Sequence, residues 1–271
     1  MKKVSINIFA LTMLIVGAVD GVSNLPSIAL FGHHMVFFFI VATILFLWPT
    51  GSISAELSIS HEKDSGIYIW VQKAFGGSWA GLAVWLQWIN TMVWFPTCLT
   101  TLVGTLAYLI NPVLIHKPLF LVVASLSVFW FMTIVNLWGV KKSTKIAALG
   151  TTFGMVIPMT LIIGLSLLWV VSGKPLALHV SLHHAVPNLS HLGSWTALTA
   201  IITAFLGMEL ATVHVKRVKN ASVVFPVALL YSLVLIILTM GLGSFFVAMV
   251  IPHHQIVLVS GATPAFHTLF E

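Results

Sequence analysis

The chain has 271 residues, 59% of them hydrophobic and only 7% charged, with a formal net charge of +6 and a mean hydropathy of +1.08. A water-facing domain of ordinary composition carries about a quarter charged residues, so lipid must be the solvent for most of this surface. The lysines and arginines sit in short clusters between apolar runs rather than on one face with interleaved aromatics, which sets nucleic acid aside, and a lone cysteine, Cys98, excludes a disulfide framework and a cysteine metal site.

From the N-terminus, Met1, Lys2 and Lys3 lead into an apolar stretch that continues to about Phe31 without a small-residue cleavage site. That pattern predicts a retained first helix rather than a signal peptide. Spanning a bilayer needs about 20 apolar residues, and the chain offers such segments at 6–31, 35–59, 78–110, 119–139, 146–172, 194–215 and 223–251. Neither Ala74 to His116 nor Asn220 to Phe270 contains Asp, Glu, Lys or Arg. Backbone groups in lipid must be satisfied within the segment, so these runs are expected to be helices. They lack the period-two alternation of a membrane β-barrel. The expected fold is an all-α membrane protein of about seven transmembrane helices.

Orientation follows from the basic residues. With the N-terminus in the cytoplasm, the inner segments hold Lys2, Lys3, Lys63, Lys73, Lys141, Lys142, Lys145, Lys216, Arg217 and Lys219, and the outer ones only Lys117 and Lys174. That bias satisfies the positive-inside rule, and the reverse orientation violates it. The histidines run the other way: His33, His34, His116, His179, His183, His184, His191, His253, His254 and His267 fall outside, with only His61 and His214 near the inner side. They read either as an external pH sensor or as polar loop residues without fixed charge.

Two helices are interrupted. The first carries Gly17, Ala18, Val19, Asp20, Gly21, Val22, Ser23, Asn24, Leu25 and Pro26; the sixth carries Phe205, Leu206, Gly207, Met208 and Glu209. A carboxylate at membrane depth is a functional candidate by default, and paired glycine- or proline-broken helices point to a transporter binding site. Unwinding frees N–H groups for an anion and C=O groups for a cation or amine. The plainer alternative stays open: Asp20 caps the second half of helix 1, and Glu209 hydrogen-bonds within the bundle. Helices 1 and 6 lie five apart, an odd number, so a repeat starting at helix 6 must be inverted. The expected organisation is a first five-helix repeat over 1–172, a periplasmic loop over 173–193, the start of a second repeat over 194–251 and a periplasmic tail over 252–271. Helix 3 places Gln87, Asn90, Thr91 and Trp94 on one face, either toward a cavity or as interhelical glue.

Other classes fit less well. A seven-helix receptor usually starts outside, and a retinal Schiff base needs a lysine in the last helix, but none follows Lys219. A metal centre at His179, His183, His184 and His191 lacks an acidic neighbour and a helical i, i+4 pair. No enzyme activity, metal or cofactor is expected. A non-transporting remnant remains a distinct reading.

Several motifs resemble the amino acid–polyamine–organocation permeases, and within them the glutamate/γ-aminobutyrate antiporters. Ala55-Glu56-Leu57, then Ser65-Gly66-Ile67-Tyr68-Ile69-Trp70, is similar to that family's A-E-L and G-G-x-Y-x-W. Val19-Asp20 through Asn24-Leu25-Pro26 resembles the subgroup's helix 1 break, and Gly207-Met208-Glu209 its G-[FM]-E. Lys219-Asn220 and Phe225-Pro226 flank the following loop in the same way. Arg217, Ala221, Val223 and Ser65 depart from the pattern, standing where the family usually has an acidic residue, proline, arginine and glycine. The resemblance implies a leucine-transporter-type inverted-repeat fold, here incomplete and truncated after helix 7. It implies amino-acid exchange across a bacterial inner membrane. A substrate site is then expected at Gly17, Val19, Asp20, Gly21, Asn90, Trp94, Gly207, Met208 and Glu209, with Glu56 structural. An amino acid and the lipid bilayer are the expected partners, with a homo-oligomer or a separately encoded second half completing the transporter.

Overall fold

The structure, a computed structural model, describes residues 6–60, 66–178, 187 and 192–252. The expectations for Lys2, Lys3, His61, Lys63, Ser65, His179, His183, His184, His191, His253, His254 and His267 lie outside the described residues. Within them every regular element is helical. In chain order these are α1 (Ile8–Val19), α2 (Asn24–Ala29), α3 (His34–Ser60), α4 (Ile67–Phe75), α5 (Gly77–Ile110), α6 (Pro118–Leu137), α7 (140–171), α8 (Leu192–Ala204), a 3-10 segment (Met208–Arg217) and α9 (Ala221–Val250).

Six described segments are long and apolar enough to cross a membrane, five of them single helices and the sixth α8 with the 3-10 segment, and this is a multi-pass membrane protein. The first helix is divided at the break expected from the sequence. The 12 residues of α1 rise about 18 Å, short of a hydrocarbon core of about 30 Å, so α2 must complete the crossing. α1 begins where the Asn7 side chain accepts the Ala10 N–H at 2.8 Å, an N-cap. It stops at Asp20, whose φ of −85° and ψ of 154° are extended. The sixth crossing is divided too. α8 ends at Ala204, and after Gly207 (φ 119°) the chain continues as ten residues of 3-10 helix. Runs of that length are uncommon, because 3-10 hydrogen bonds are poorly aligned.

Three long helices carry a π-turn, at Thr43–Leu47 in α3, Thr152–Val156 in α7 and Ile237–Leu242 in α9. The first two have a cause in the sequence. Pro49 and Pro158 lack the N–H that would reach the carbonyls of Leu45 and Gly154, four residues back, and both carbonyls fall inside the π-turns. The wider turn accommodates the ring. The third has no such proline. There Gly241 lets the Phe39 ring approach, and an alanine Cβ would stand 2.8 Å from Phe39 Cε1.

The core forms around α1, which packs against α9, the first half of α7 and the 3-10 segment. Leu11, Ile15 and Val16 are fully buried there, with Phe205 and Phe225. Phe39 and Phe205 meet edge to face at 5.1 Å. α5 and α6 lie at the periphery and expose Trp79, Trp85, Trp88, Trp130 and Phe131, side chains suited to lipid. α4, which the sequence reading did not single out, is a short amphipathic helix entered and left through Gly66 (φ 131°) and Gly76 (φ 90°). Only glycine adopts that backbone at little cost. Glu56, near the end of α3, is exposed.

Candidate functional site

The two breaks lie side by side. A Cβ on Gly207 would stand 2.5 Å from the Ala18 carbonyl oxygen and 3.6 Å from Val19 Cγ2. Only a glycine allows the backbones of helices 1 and 6 to meet there. Beside this junction a cavity of about 850 Å³ opens between α1, α2, α5, α8 and the 3-10 segment. That is within the range of small-molecule sites.

Each wall has a local reason for its position. On α2, Asn24, Ser27 and Ile28 follow i, i+3, i+4 spacing and present one face. On α8, Ala200, Thr203 and Ala204 do the same and lead into Gly207. On α5 the face comprises Gln87, Asn90, Thr91 and Trp94, joined by Phe95. Ile67 of α4 closes one margin. The hydroxyls are already committed to their own helices. Thr91 donates to the Gln87 carbonyl at 2.9 Å, Thr203 to Thr199 at 2.8 Å, and Ser27 to Ser23 at 3.2 Å. That leaves the carboxamides of Asn24, Gln87 and Asn90, each able to donate and accept.

Glu209 is the single ionisable side chain among the lining residues. It stands in the first turn of the 3-10 segment and is partly buried; one carboxylate oxygen accepts the Gly207 N–H at 3.3 Å. The Thr212 hydroxyl donates to the Glu209 carbonyl at 2.6 Å and steadies that turn. A lone carboxylate in an apolar cavity attracts a cationic group, an ammonium above all.

The residues singled out from sequence divide into two sets. Val19, Asn90, Trp94, Gly207 and Glu209 line the cavity; Gly17, Asp20, Gly21 and Met208 do not. Gly17 faces α7, where an added Cβ would collide with the Thr151 hydroxyl. Met208 is buried against α3, its methyl 3.1 Å from where a Cβ on Gly51 would stand. Asp20 is 6% exposed and turned toward α9. Its Oδ1 accepts the Gly21 N–H at 2.8 Å, and its Oδ2 lies 2.6 Å from the Thr239 hydroxyl. The sequence reading missed Asn24, Ser27, Ala200 and Thr203, although their spacing relative to the breaks marks the cavity face. The histidine group that the sequence reading weighed against a metal centre lies outside the described residues, and among the described residues no His, Cys, Asp and Glu cluster could hold a metal.

Comparison with known proteins adds an independent line. Residues 6–271 match the family described as amino acid permease. The chain is 37% identical over 270 residues to an uncharacterised transporter of Legionella pneumophila, covering 100% of this chain and 58% of that protein. It is 28% identical over 271 residues to a glutamate/γ-aminobutyrate antiporter of Lactococcus lactis, covering 99% of this chain and 54% of the relative. A probable agmatine/putrescine antiporter of the same species is 24% identical over 269 residues, covering 98% and 56%. The chain thus spans about half the length of the curated relatives it matches.

Proposed function

The chain belongs to the amino acid permease family, and from that premise we propose that it is the substrate-binding part of an inner-membrane amino-acid exchanger, with its N-terminus in the cytoplasm. The observation that carries the reading is the single carboxylate, Glu209, at the junction of two broken helices and in the wall of a mostly apolar cavity. An amino-acid ammonium sits against Glu209, and the Asn90 and Gln87 carboxamides meet the other end of the molecule. Trp94 and Phe95 cover its carbon chain. The two antiporters among the relatives support exchange rather than one-way uptake, with glutamate and γ-aminobutyrate as the first pair to try.

The basic residues of the loops support the orientation, because cytoplasmic loops retain Lys and Arg. A second reading is favoured by one observation. Trp94 lines the cavity yet is 46% exposed, and Asn90 beside it is exposed as well. A further polypeptide, a second copy or a separately encoded partner, then covers α5 and completes the wall.

Counterflow in proteoliposomes loaded with unlabelled γ-aminobutyrate tests both. Saturable uptake of labelled glutamate is expected, falling about thirtyfold in Glu209→Gln, the equivalent of about 2 kcal/mol for a lost charge-assisted contact. Unchanged uptake in Glu209→Gln removes the carboxylate from the mechanism. No uptake from correctly inserted protein favours the second reading.

A further inference from the structure

The buried Asp20 is not used by the cavity, and the atoms around it can be counted. Thr239 Oγ1 lies 2.6 Å from Asp20 Oδ2 and 2.7 Å from the Leu235 carbonyl oxygen. Both separations are those of a full O–H···O hydrogen bond. A threonine hydroxyl has one hydrogen and cannot fill two such bonds. At two other hydroxyls among the described residues that share one hydrogen, the second contact is long. Thr50 reaches two carbonyls at 2.7 and 3.1 Å, and Ser232 reaches two at 2.7 and 3.2 Å. At Thr239 neither contact is long, so a second hydrogen is needed, and Asp20 Oδ2 is the atom that can carry it.

We propose that Asp20 and Thr239 form a proton-binding site in the wall of the helix 1 break. The Asp20 O–H donates to Thr239 Oγ1, the Thr239 O–H donates to the Leu235 carbonyl, and Asp20 Oδ1 accepts the Gly21 N–H. Every donor and acceptor is then satisfied in a setting where an unpaired charge is costly. Thr239 and Gly21 are the polar partners of Asp20, and among the described residues no cation compensates a carboxylate there.

The elements packed against α1 bring few charges near. The 3-10 segment supplies Glu209, which faces the cavity, with His214 and Arg217 farther along toward Ile6. α9 supplies the hydroxyls of Ser232 and Thr239, and its Tyr231 is exposed. α7 meets α1 at Thr151, six residues beyond Lys145.

Release breaks the Oδ2–H bond and passes the proton to water that enters as α1 and α9 separate. The Thr239 hydroxyl then turns to the carboxylate and leaves the Leu235 carbonyl. Proton binding and the position of helix 1 are thereby linked. That this linkage serves transport rests on the reading above; that the site binds a proton does not.

Infrared difference spectroscopy on the chain in lipid nanodiscs decides it. At about pH 7, where an ordinary aspartate is ionised, wild type should show the C=O stretch of a protonated carboxyl. Asp20→Asn should lack that band and Glu209→Gln should keep it. Thr239→Val, nearly isosteric, removes the acceptor and should move the band to higher frequency. Identical spectra for wild type and Asp20→Asn overturn the proposal, as does a band lost with Glu209→Gln or unmoved by Thr239→Val. The spectrum is independent of uptake, so a failed counterflow assay, which bears on the exchanger reading and on what completes the cavity wall, leaves this proposal standing.

Discussion

The breaks in helices 1 and 6 carry a similar signature, a glycine within two residues of a carboxylate inside an apolar run, and the two carboxylates serve different neighbours. Glu209 lines the cavity, partly buried, with one backbone N–H against it. Asp20 turns its back on the cavity and is held by Thr239. The backbones differ as well. Helix 1 breaks through an extended residue at Asp20 and resumes as α-helix, with Asn24 N–H bonded to the Gly21 carbonyl at 2.9 Å. Helix 6 breaks through a positive-φ glycine and resumes as 3-10 helix. A carboxylate at membrane depth therefore marks an important place without telling which cavity or neighbour it serves.

The largest test of this contrast is Gly207→Ala. The substitution forces an L-residue to φ 119° and drives a methyl group to 2.5 Å from the rigid Ala18 carbonyl. Backbone strain and overpacking of this kind cost on the order of 3 kcal/mol together. The expected result is a large loss of thermal stability in detergent, together with loss of the junction that forms the cavity. A stable Gly207→Ala protein would mean that the two breaks need not touch.

How much of this was legible in the sequence follows from the same contrast. The apolar runs fixed the existence of helices, because lipid leaves the backbone no other partner. The glycines and carboxylates located both breaks. The stripe Gln87, Asn90, Thr91 and Trp94 lies on an unbroken helix, so its i, i+3, i+4, i+7 phase holds and all four line the cavity. At Asp20 and Met208 that phase is lost. Helical periodicity says nothing about side-chain direction once the chain leaves the helix, and the direction is set by Thr239 for one and by the small surface at Gly51 for the other. α4 was missed because its nine residues are too short to read as a span. Its flanking glycines were the available signal.

A smaller effect is expected one turn below the first break. Gly17→Ala places a methyl group against the Thr151 hydroxyl, with Thr151 Cβ and Cγ2 each at 3.4 Å. Thr151 is a side chain and can yield, so a loss of about 1–2 kcal/mol is expected rather than collapse. The double variant Gly17→Ala, Thr151→Ala should recover most of it, since the cost belongs to one contact. Equal losses in the single and double variants would place the role of Gly17 in the backbone, as at Gly207.

The smallest effect should be at Gly21, which stands in the first break as Gly207 stands in the second. Its φ is not positive, and the nearest atoms to an added Cβ would be Ser23 Oγ at 3.4 Å, Asn24 Nδ2 at 3.7 Å and Asn24 Cγ at 4.0 Å, ordinary contacts. Its N–H, which donates to Asp20, is retained in alanine. Replacing a glycine whose backbone suits any residue stiffens the unfolded chain and can stabilise by about 0.4–1 kcal/mol. Gly21→Ala should therefore leave thermal stability within about 1 kcal/mol of wild type in either direction, and the protonated-carboxyl band of Asp20 in place. A severe loss would show that the helix 1 break must flex through conformations closed to alanine. The glycine would then serve movement rather than the resting geometry, and the two breaks would be more alike than their side chains suggest.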